Sequence, residues 1–130
     1  MGESDTRIVS VVDDNESLRR SLRNLLRSFG FRVETFASAE AFLESIHHEQ
    51  TRCLVLDLRM PGMNGLELLS YLSSTGSRIP AVILTAHGDA EARQRSLESG
   101  AVAFLSKPLS GKALLDAVRT ALDQNGWRPR

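Results

Sequence analysis

Short apolar runs alternate with amphipathic stretches along almost the whole chain, and this alternation limits the possible folds more than any other feature. Strict alternation of strands with helices is typical of a parallel sheet that is covered by helices on both faces. The sequence therefore predicts an α/β domain, a (βα)5 three-layer sandwich. The runs that predict its strands are Arg7–Val12, Arg32–Phe36, Cys53–Leu58, Pro80–Thr85 and Ala103–Ser106.

The stretches between these runs show helical periodicity, with apolar residues at three- and four-residue steps. Asn15 is the predicted N-cap of the first helix, and Gly30 is its predicted stop. Ser38 is predicted to cap a second, short helix that carries the apolar residues Phe42, Leu43 and Ile46. The fourth helix, predicted over Asp89–Ser99, has little apolar content, so we expect it to be loosely held. The third helix is predicted from Leu66, Leu69 and Leu72, and the fifth starts from Ser110.

Length and composition restrict the classes of protein that this chain can be. With 130 residues the chain fits one domain, and its 16 basic residues balance its 16 acidic ones. A balanced charge gives no general attraction to nucleic acid, so we expect this chain itself to bind no DNA. The single cysteine, Cys53, excludes a disulfide framework and is predicted to be a buried thiol.

The termini and the apolar runs predict the location of the protein and the limits of the domain. No apolar run approaches the roughly 18 residues that a membrane helix needs, so we expect no membrane contact and a cytoplasmic location. Residues 1–6 are predicted to be disordered. Residues 124–130 (QNGWRPR) lack periodicity and are predicted to be a C-terminal tail or the start of a linker.

Polar side chains collect at the predicted carboxyl ends of the strands. They are Asp13 and Asp14 after the first strand, Asp57 in the third, Thr85 at the end of the fourth and Lys107 after the fifth. In open α/β sheets, ligands bind outside these strand ends. If the strand order is 2-1-3-4-5, the first, third and fourth strands are neighbours, and the three carboxylates converge beside a hydroxyl and an ammonium group.

This set of side chains predicts a magnesium-dependent phosphoryl site. Three clustered carboxylates repel each other unless a cation neutralises them, and a few oxygen ligands suit Mg²⁺. Asp57 is the predicted nucleophile that forms an acyl phosphate, and it needs no general base because a carboxylate already lacks its proton. Thr85 and Lys107 are predicted to hold the other phosphoryl oxygens.

Four motifs in this order resemble the receiver domain of bacterial response regulators. They are Asp13–Asp14, the segment DLRMPGMNG from Asp57 to Gly65, Thr85–Ala86 and Lys107–Pro108. The resemblance covers about residues 7–123, and the amino-acid sequence of the motifs is most similar to that of the FixJ-type subfamily. It implies the flavodoxin-like fold with strand order 2-1-3-4-5.

The resemblance also implies a role for each site residue. Asp57 would take its phosphoryl group from the phosphohistidine of a sensor histidine kinase. Asp14 and Asp57 would bind Mg²⁺ directly together with the backbone carbonyl of Arg59, whereas Asp13 would act through water. The Lys107–Pro108 peptide bond would be cis, and His87, like Arg59, would tune the lifetime of the acyl phosphate.

The resemblance further implies a switch and its partners. Thr85 would move toward the phosphoryl group and Phe104 would turn inward, which would change the surface formed by helix four, strand five and helix five. That surface would serve the output or form a homodimer when phosphorylated. The first helix, with Arg19, Arg20, Arg23 and Arg27, would dock against the kinase.

Four functional readings are kept at this point. The leading one is a signalling switch that controls transcription through an effector domain absent from this chain, and its alternative is a stand-alone regulator or phosphorelay intermediate. Neither is a classical enzyme, because the only catalysis would be self-phosphorylation and self-dephosphorylation. A haloacid-dehalogenase-type phosphatase would need an aspartate where Arg59 stands. An unphosphorylated pseudo-receiver would not need all of Asp13, Asp14, Asp57, Thr85 and Lys107.

Overall fold

Five parallel strands form one sheet in a computed structural model that describes residues 7–46, 48–86, 90–107 and 110–124. The sheet order is β2-β1-β3-β4-β5, and helices pack on both faces. The predicted fold class and strand order are therefore confirmed. The strands are β1 (Ile8–Val12), β2 (Arg32–Phe36), β3 (Thr51–Leu56), β4 (Ala81–Thr85) and β5 (Ala101–Ser106). The helices are α1 (Glu16–Ser28), α2 (Ala39–Glu44), α3 (Gly65–Ser74), α4 (Ala90–Glu98) and α5 (Gly111–Gln124).

The three central strands are buried on both faces of the sheet. Alternate residues of a strand point to opposite faces. In β3, Cys53 and Val55 therefore pack with α1 and α5, whereas Leu54 and Leu56 pack with α2 and α3. A continuous apolar run such as Cys53–Leu56 is typical of a strand that is buried on both faces, and this burial makes β3 a rigid base for the residue that follows it, Asp57.

Side-chain caps define where most of the helices begin. The Asn15 carboxamide oxygen accepts a hydrogen bond from the Leu18 backbone N–H at 3.0 Å. The Ser38 hydroxyl accepts one from Ala41 at 3.0 Å, and the Ser110 hydroxyl accepts one from Ala113 at 3.0 Å. These caps confirm the predicted starts of α1, α2 and α5. The predicted first residue of the fourth helix, Asp89, lies outside the described residues.

The prediction for Ile46 was wrong. Helix α2 ends at Glu44, because Ser45 has extended backbone geometry (ψ 146°) and breaks the helix before Ile46. The Ile46 side chain is 83% exposed instead of packing with the helix. The first predicted core residue of this helix, Phe42, is by contrast fully buried.

Strand β3 starts and ends two residues earlier than the apolar run predicted. It begins at Thr51, which is buried, and its hydroxyl lies 2.7 Å from the hydroxyl of Ser10 in β1. An apolar pattern does not predict a buried polar pair of this kind, because the partner hydroxyl comes from a strand that is distant in sequence. Because β3 ends at Leu56, Asp57 stands just beyond the strand.

The predicted burial of the Cys53 thiol is confirmed, and this burial has a chemical consequence that can be tested. Burial removes the thiolate from water and raises the pKa of Cys53 to about 12. We therefore expect the folded chain to resist iodoacetamide at pH 8, where the thiol stays protonated, and to be alkylated quantitatively in urea. Intact mass after timed alkylation measures both rates. Rapid alkylation of the folded chain would contradict this burial.

In the described part of the chain, no helix has the length and apolar character needed to cross a membrane.

Candidate functional site

The predicted site residues meet at the carboxyl edge of the sheet, where backbone hydrogen bonds continue beyond the strands. The Asp13 N–H donates to the carbonyl of Phe36 at 3.1 Å, and the Asp57 N–H donates to that of Val12 at 3.0 Å. The Lys107 N–H donates to the carbonyl of Thr85 at 2.9 Å. The backbone of each of these three residues is thus fixed to the neighbouring strand, so its side chain starts from a well-defined position.

Three carboxylates form a cluster at this edge. Asp13, Asp14 and Asp57 each contribute an oxygen atom, and these atoms lie within 4.8 Å of one another. Asp13 and Asp57 are buried, whereas Asp14 is exposed. The order of the strands produces this convergence, because β1 and β3 are neighbours in the sheet although more than 40 residues separate Asp13 from Asp57 along the chain.

Lys107 reaches back from the end of β5 into the cluster. Its Nζ lies 2.9 Å from Oδ2 of Asp13 and 3.3 Å from Oδ2 of Asp57. Burial by itself lowers the pKa of Lys107, but the hydrogen bond to Asp13 and the two nearby negative charges outweigh it, so the net pKa is raised. Lys107 is therefore a firmly charged ammonium group facing two buried carboxylates.

The environment of Asp57 is unfavourable to its negative charge when no cation is bound. Burial raises the pKa of Asp57, and the negative charge of Asp13 adds to this effect. A hydrogen bond from the Arg59 backbone N–H, at 3.2 Å from Oδ1, and the charge of Lys107 oppose the rise without cancelling it. Three carboxylates facing one ammonium leave an excess of negative charge, which a divalent cation would neutralise.

The predicted switch residues lie on adjacent strands. Thr85 is the last residue of β4 and is buried, with its Cα opposite Ser106 of β5. Phe104 is opposite Ile83 and packs, partly buried, against the apolar cluster on the α2 and α3 face. This placement puts an aromatic side chain two residues before the end of the strand that Lys107 follows. The switch itself stays a prediction.

Some site predictions concern residues outside the described part of the chain. Pro108 and His87 are among these, so the cis peptide bond and the role of His87 stay predictions. Arg59 is described and exposed, and its N–H contacts Asp57 as given above. The role of its carbonyl as a metal ligand also stays a prediction.

Two contacts around the acidic cluster were missed by the sequence analysis. The Asn15 N–H donates to Oδ1 of Asp13 at 2.9 Å, which occupies the oxygen that Lys107 leaves free. Arg19, which was assigned to a kinase-docking face, donates from its guanidinium to the backbone carbonyl of Asp13 at 2.8 Å. The only sequence signal for these contacts is that α1 begins right after Asp13–Asp14, so its first turn lies over the site.

Comparisons with known proteins agree with this geometry. The sequence model of the response regulator receiver domain family matches residues 9–119. Nodulation protein W of Bradyrhizobium diazoefficiens is 46% identical over 121 residues, which are 93% of this chain and 53% of that protein. The transcriptional regulatory protein FixJ of Rhizobium meliloti is 40% identical over 113 residues, which are 87% of this chain and 55% of that protein. The chain thus spans about half the length of the curated relatives it matches.

Solved structures show the same likeness in three dimensions. The response regulator StyR superposes with a TM-score of 0.86 at 49% identity, over 94% of this chain and 62% of that one. The crystal structure of FixJ-N superposes with a TM-score of 0.82 at 38% identity, over 92% of this chain and 95% of that one. Sequence, fold and strand-end site lead to the same conclusion: this chain belongs to the response regulator receiver domains of two-component systems and is of the FixJ type.

Proposed function

We propose that this domain is a phosphorylation-controlled switch in which Asp57 accepts a phosphoryl group from the phosphohistidine of a sensor histidine kinase. The observation that carries the proposal is the position of Asp57, a buried carboxylate just beyond a rigid central strand, with Asp13 and the Lys107 ammonium beside it. A carboxylate held in this way can attack a phosphoryl group in line without a general base.

The donor set fits Mg²⁺, because all three clustered side chains offer oxygen and their negative charge exceeds that of the nearby ammonium. Asp14 and Asp57 are proposed to hold the ion together with the Arg59 carbonyl, and Asp13 is proposed to act through water. When bound, Mg²⁺ would supply the positive charge that neutralises the cluster and the incoming phosphoryl oxygens.

The protein groups then perform the transfer. An Oδ atom of Asp57 forms a bond to phosphorus while the bond between phosphorus and the donor imidazole breaks, and the imidazole leaves with the electron pair. Before phosphorylation the Lys107 ammonium contacts both Asp13 and Asp57. During transfer it binds a phosphoryl oxygen, and the Thr85 hydroxyl donates a hydrogen bond to another. Attack of water on the acyl phosphate restores Asp57 and releases phosphate, so the domain switches itself off without being a classical enzyme.

The output is proposed to pass through the surface formed by α4, β5 and α5. Helix α4 buries only Ser96 among its residues, so little apolar packing holds it in place. Movement of Thr85 toward the phosphoryl group, followed by Phe104, would shift this surface and promote an output contact or a homodimer. Transcriptional control is the output proposed here, by similarity to the FixJ relatives, and a stand-alone or phosphorelay role is the alternative.

Intact mass after incubation with acetyl phosphate or phosphoramidate and Mg²⁺ tests the proposal. We expect a single phosphoryl adduct that is lost in base and that does not form when EDTA replaces Mg²⁺. Sustained hydrolysis of generic phosphomonoesters would instead indicate a phosphatase. Absence of any adduct would indicate a pseudo-receiver and would overturn the proposal.

A further inference from the structure

The loop between β3 and α3 follows the acceptor directly, and hydrogen bonds hold it at three places. Near Asp57, the Arg59 N–H donates to the acceptor carboxylate at 3.2 Å. At its far end, the Gly65 N–H donates to the Leu58 carbonyl at 3.0 Å. Between these, the Met63 N–H donates to Oε2 of Glu40 in α2 at 2.9 Å, across 23 residues of sequence. This last contact ties the loop to a different helix.

The contact between Glu40 and the loop is close and well supported. A Cβ atom added at Gly62 would lie 2.7 Å from Oε2 of Glu40, so the carboxylate lies directly against the backbone of the loop. The hydrogen bond from Met63 is the main cause that lowers the pKa of Glu40, so the contact favours the ionised form of this carboxyl group. Glu40 itself starts from a fixed base, because its neighbour Ala39 is fully buried under the sheet.

The loop also packs on the same apolar cluster as α2. Met60 is buried and Met63 is partly buried in this cluster, together with Phe42 of α2. Arg59 lies between Asp57 and Met60, so its backbone is confined on both sides by residues with defined contacts. The Glu40 contact is the polar part of this arrangement, and it is the part that can be removed without opening a cavity.

We propose that Glu40 is a positioning residue that clasps the loop after Asp57 and holds the Arg59 carbonyl ready to bind a divalent cation. The inference rests on the proposed function, because it assigns Glu40 a role toward the same site. A ligand that is already ordered loses less conformational freedom on binding, and groups behind the direct ligands often set metal affinity in this way. Loss of the clasp therefore weakens Mg²⁺ binding without touching any carboxylate of the cluster.

Two variants of Glu40 and one control separate this role from general effects on α2. Glu40→Asp keeps the negative charge in the first turn of the helix but is one methylene too short to reach Met63. Glu40→Gln keeps the length and loses the charge. Glu44→Gln removes a carboxylate from the exposed last turn of the same helix and is the matched control.

Amide hydrogen exchange and an NMR titration with Mg²⁺ are the two measurements. We expect exchange of the Met63 amide to be about 3- to 10-fold faster in Glu40→Asp, with a smaller increase in Glu40→Gln. The dissociation constant for Mg²⁺, followed through the amide shifts of residues 57–63, is expected to rise by about 3- to 10-fold in Glu40→Asp. Glu44→Gln is expected to match the unaltered chain in both measurements.

The results distinguish the proposal from its alternatives. If Met63 exchange in Glu40→Asp equals that of the unaltered chain, there is no clasp in solution and the proposal is wrong. Faster exchange with an unchanged Mg²⁺ affinity would make Glu40 a structural contact only, which also overturns the positioning role. If the unaltered chain binds no Mg²⁺ at all, the proposed function itself is wrong. The clasp then has no role in metal binding, even if the Met63 amide exchanges faster in Glu40→Asp than in the unaltered chain.

Discussion

Asp57→Asn is expected to abolish the phosphoryl adduct, reducing its formation with acetyl phosphate and Mg²⁺ by at least about 100-fold. The side chains of Asp and Asn have nearly the same shape, and the Asn oxygen can still accept the Arg59 N–H hydrogen bond. An amide oxygen carries no full negative charge, so it is a poor nucleophile toward phosphorus. Intact mass at several incubation times measures the loss.

Asp116→Asn is the matched control for this change. Asp116 lies on the exposed surface of α5 and pairs with Lys112 at 3.0 Å. It is not one of the three carboxylates of the acidic cluster. This variant should therefore form the adduct at the rate of the unaltered chain. Asp57→Asn should keep its far-ultraviolet circular dichroism in EDTA, because two buried carboxylates share one ammonium and removing one charge relieves repulsion. An adduct that persists in a folded Asp57→Asn chain would mean that another residue is the acceptor.

The fold could be predicted because local signals agree with the tertiary arrangement. The apolar runs are buried on both faces in the central strands, and the predicted caps Asn15, Ser38 and Ser110 all accept hydrogen bonds from the first turns of their helices. The errors arose from a tertiary contact in one case and from an early helix end in the other. The apolar run did not include Thr51, but its hydroxyl lies 2.7 Å from that of Ser10 in the neighbouring strand, and β3 begins there. The apolar pattern placed Ile46 in the second helix, but this helix ends at Glu44.

The site could be predicted only as a set of residues. Parallel strands bring their carboxyl ends to one edge, so the five polar residues had to lie near one another once the order was known. The finer geometry depends on positions of a few tenths of an ångström. Lys107 is closer to Asp13 (2.9 Å) than to Asp57 (3.3 Å), and no sequence pattern indicates this. Likewise, no sequence pattern indicates the contacts that Arg19 and Glu40 make, because their partners are backbone groups.

The close approach of α3 to the acceptor strand leads to the second large expected effect. Gly65 is the first residue of α3, and a Cβ atom there would lie 2.5 Å from the backbone oxygen of Asp57 and 2.9 Å from Cα of Leu58. Backbone atoms cannot turn aside as a flexible side chain can, so Gly65→Ala must move either the helix or the acceptor segment. Only glycine fits this contact.

We expect Gly65→Ala to destabilise the fold by about 3 kcal/mol, as overpacking against rigid atoms does. The melting temperature of a domain of this size should then fall by about 10 °C. Gly111→Ala is the matched control, since Gly111 is likewise the first residue of a helix but the nearest atoms to a Cβ there belong to the Leu25 side chain, at 3.4 Å. Its melting temperature should be unchanged or slightly raised, because alanine favours a helix over glycine. Thermal unfolding followed by circular dichroism measures both shifts.

Gly65→Ala should also impair the site in chains that remain folded. The atom nearest to the added methyl group is the carbonyl oxygen of Asp57, so we expect relief of the clash to displace the acceptor from Lys107 and Asp13. Because in-line transfer depends on the position of the nucleophile, we expect adduct formation at 10 °C to be slower by about 10-fold or more, although the chain is folded at that temperature. A variant with the normal rate but a lowered melting temperature would show that α3 moves instead. The acceptor position would then be held by β3 alone.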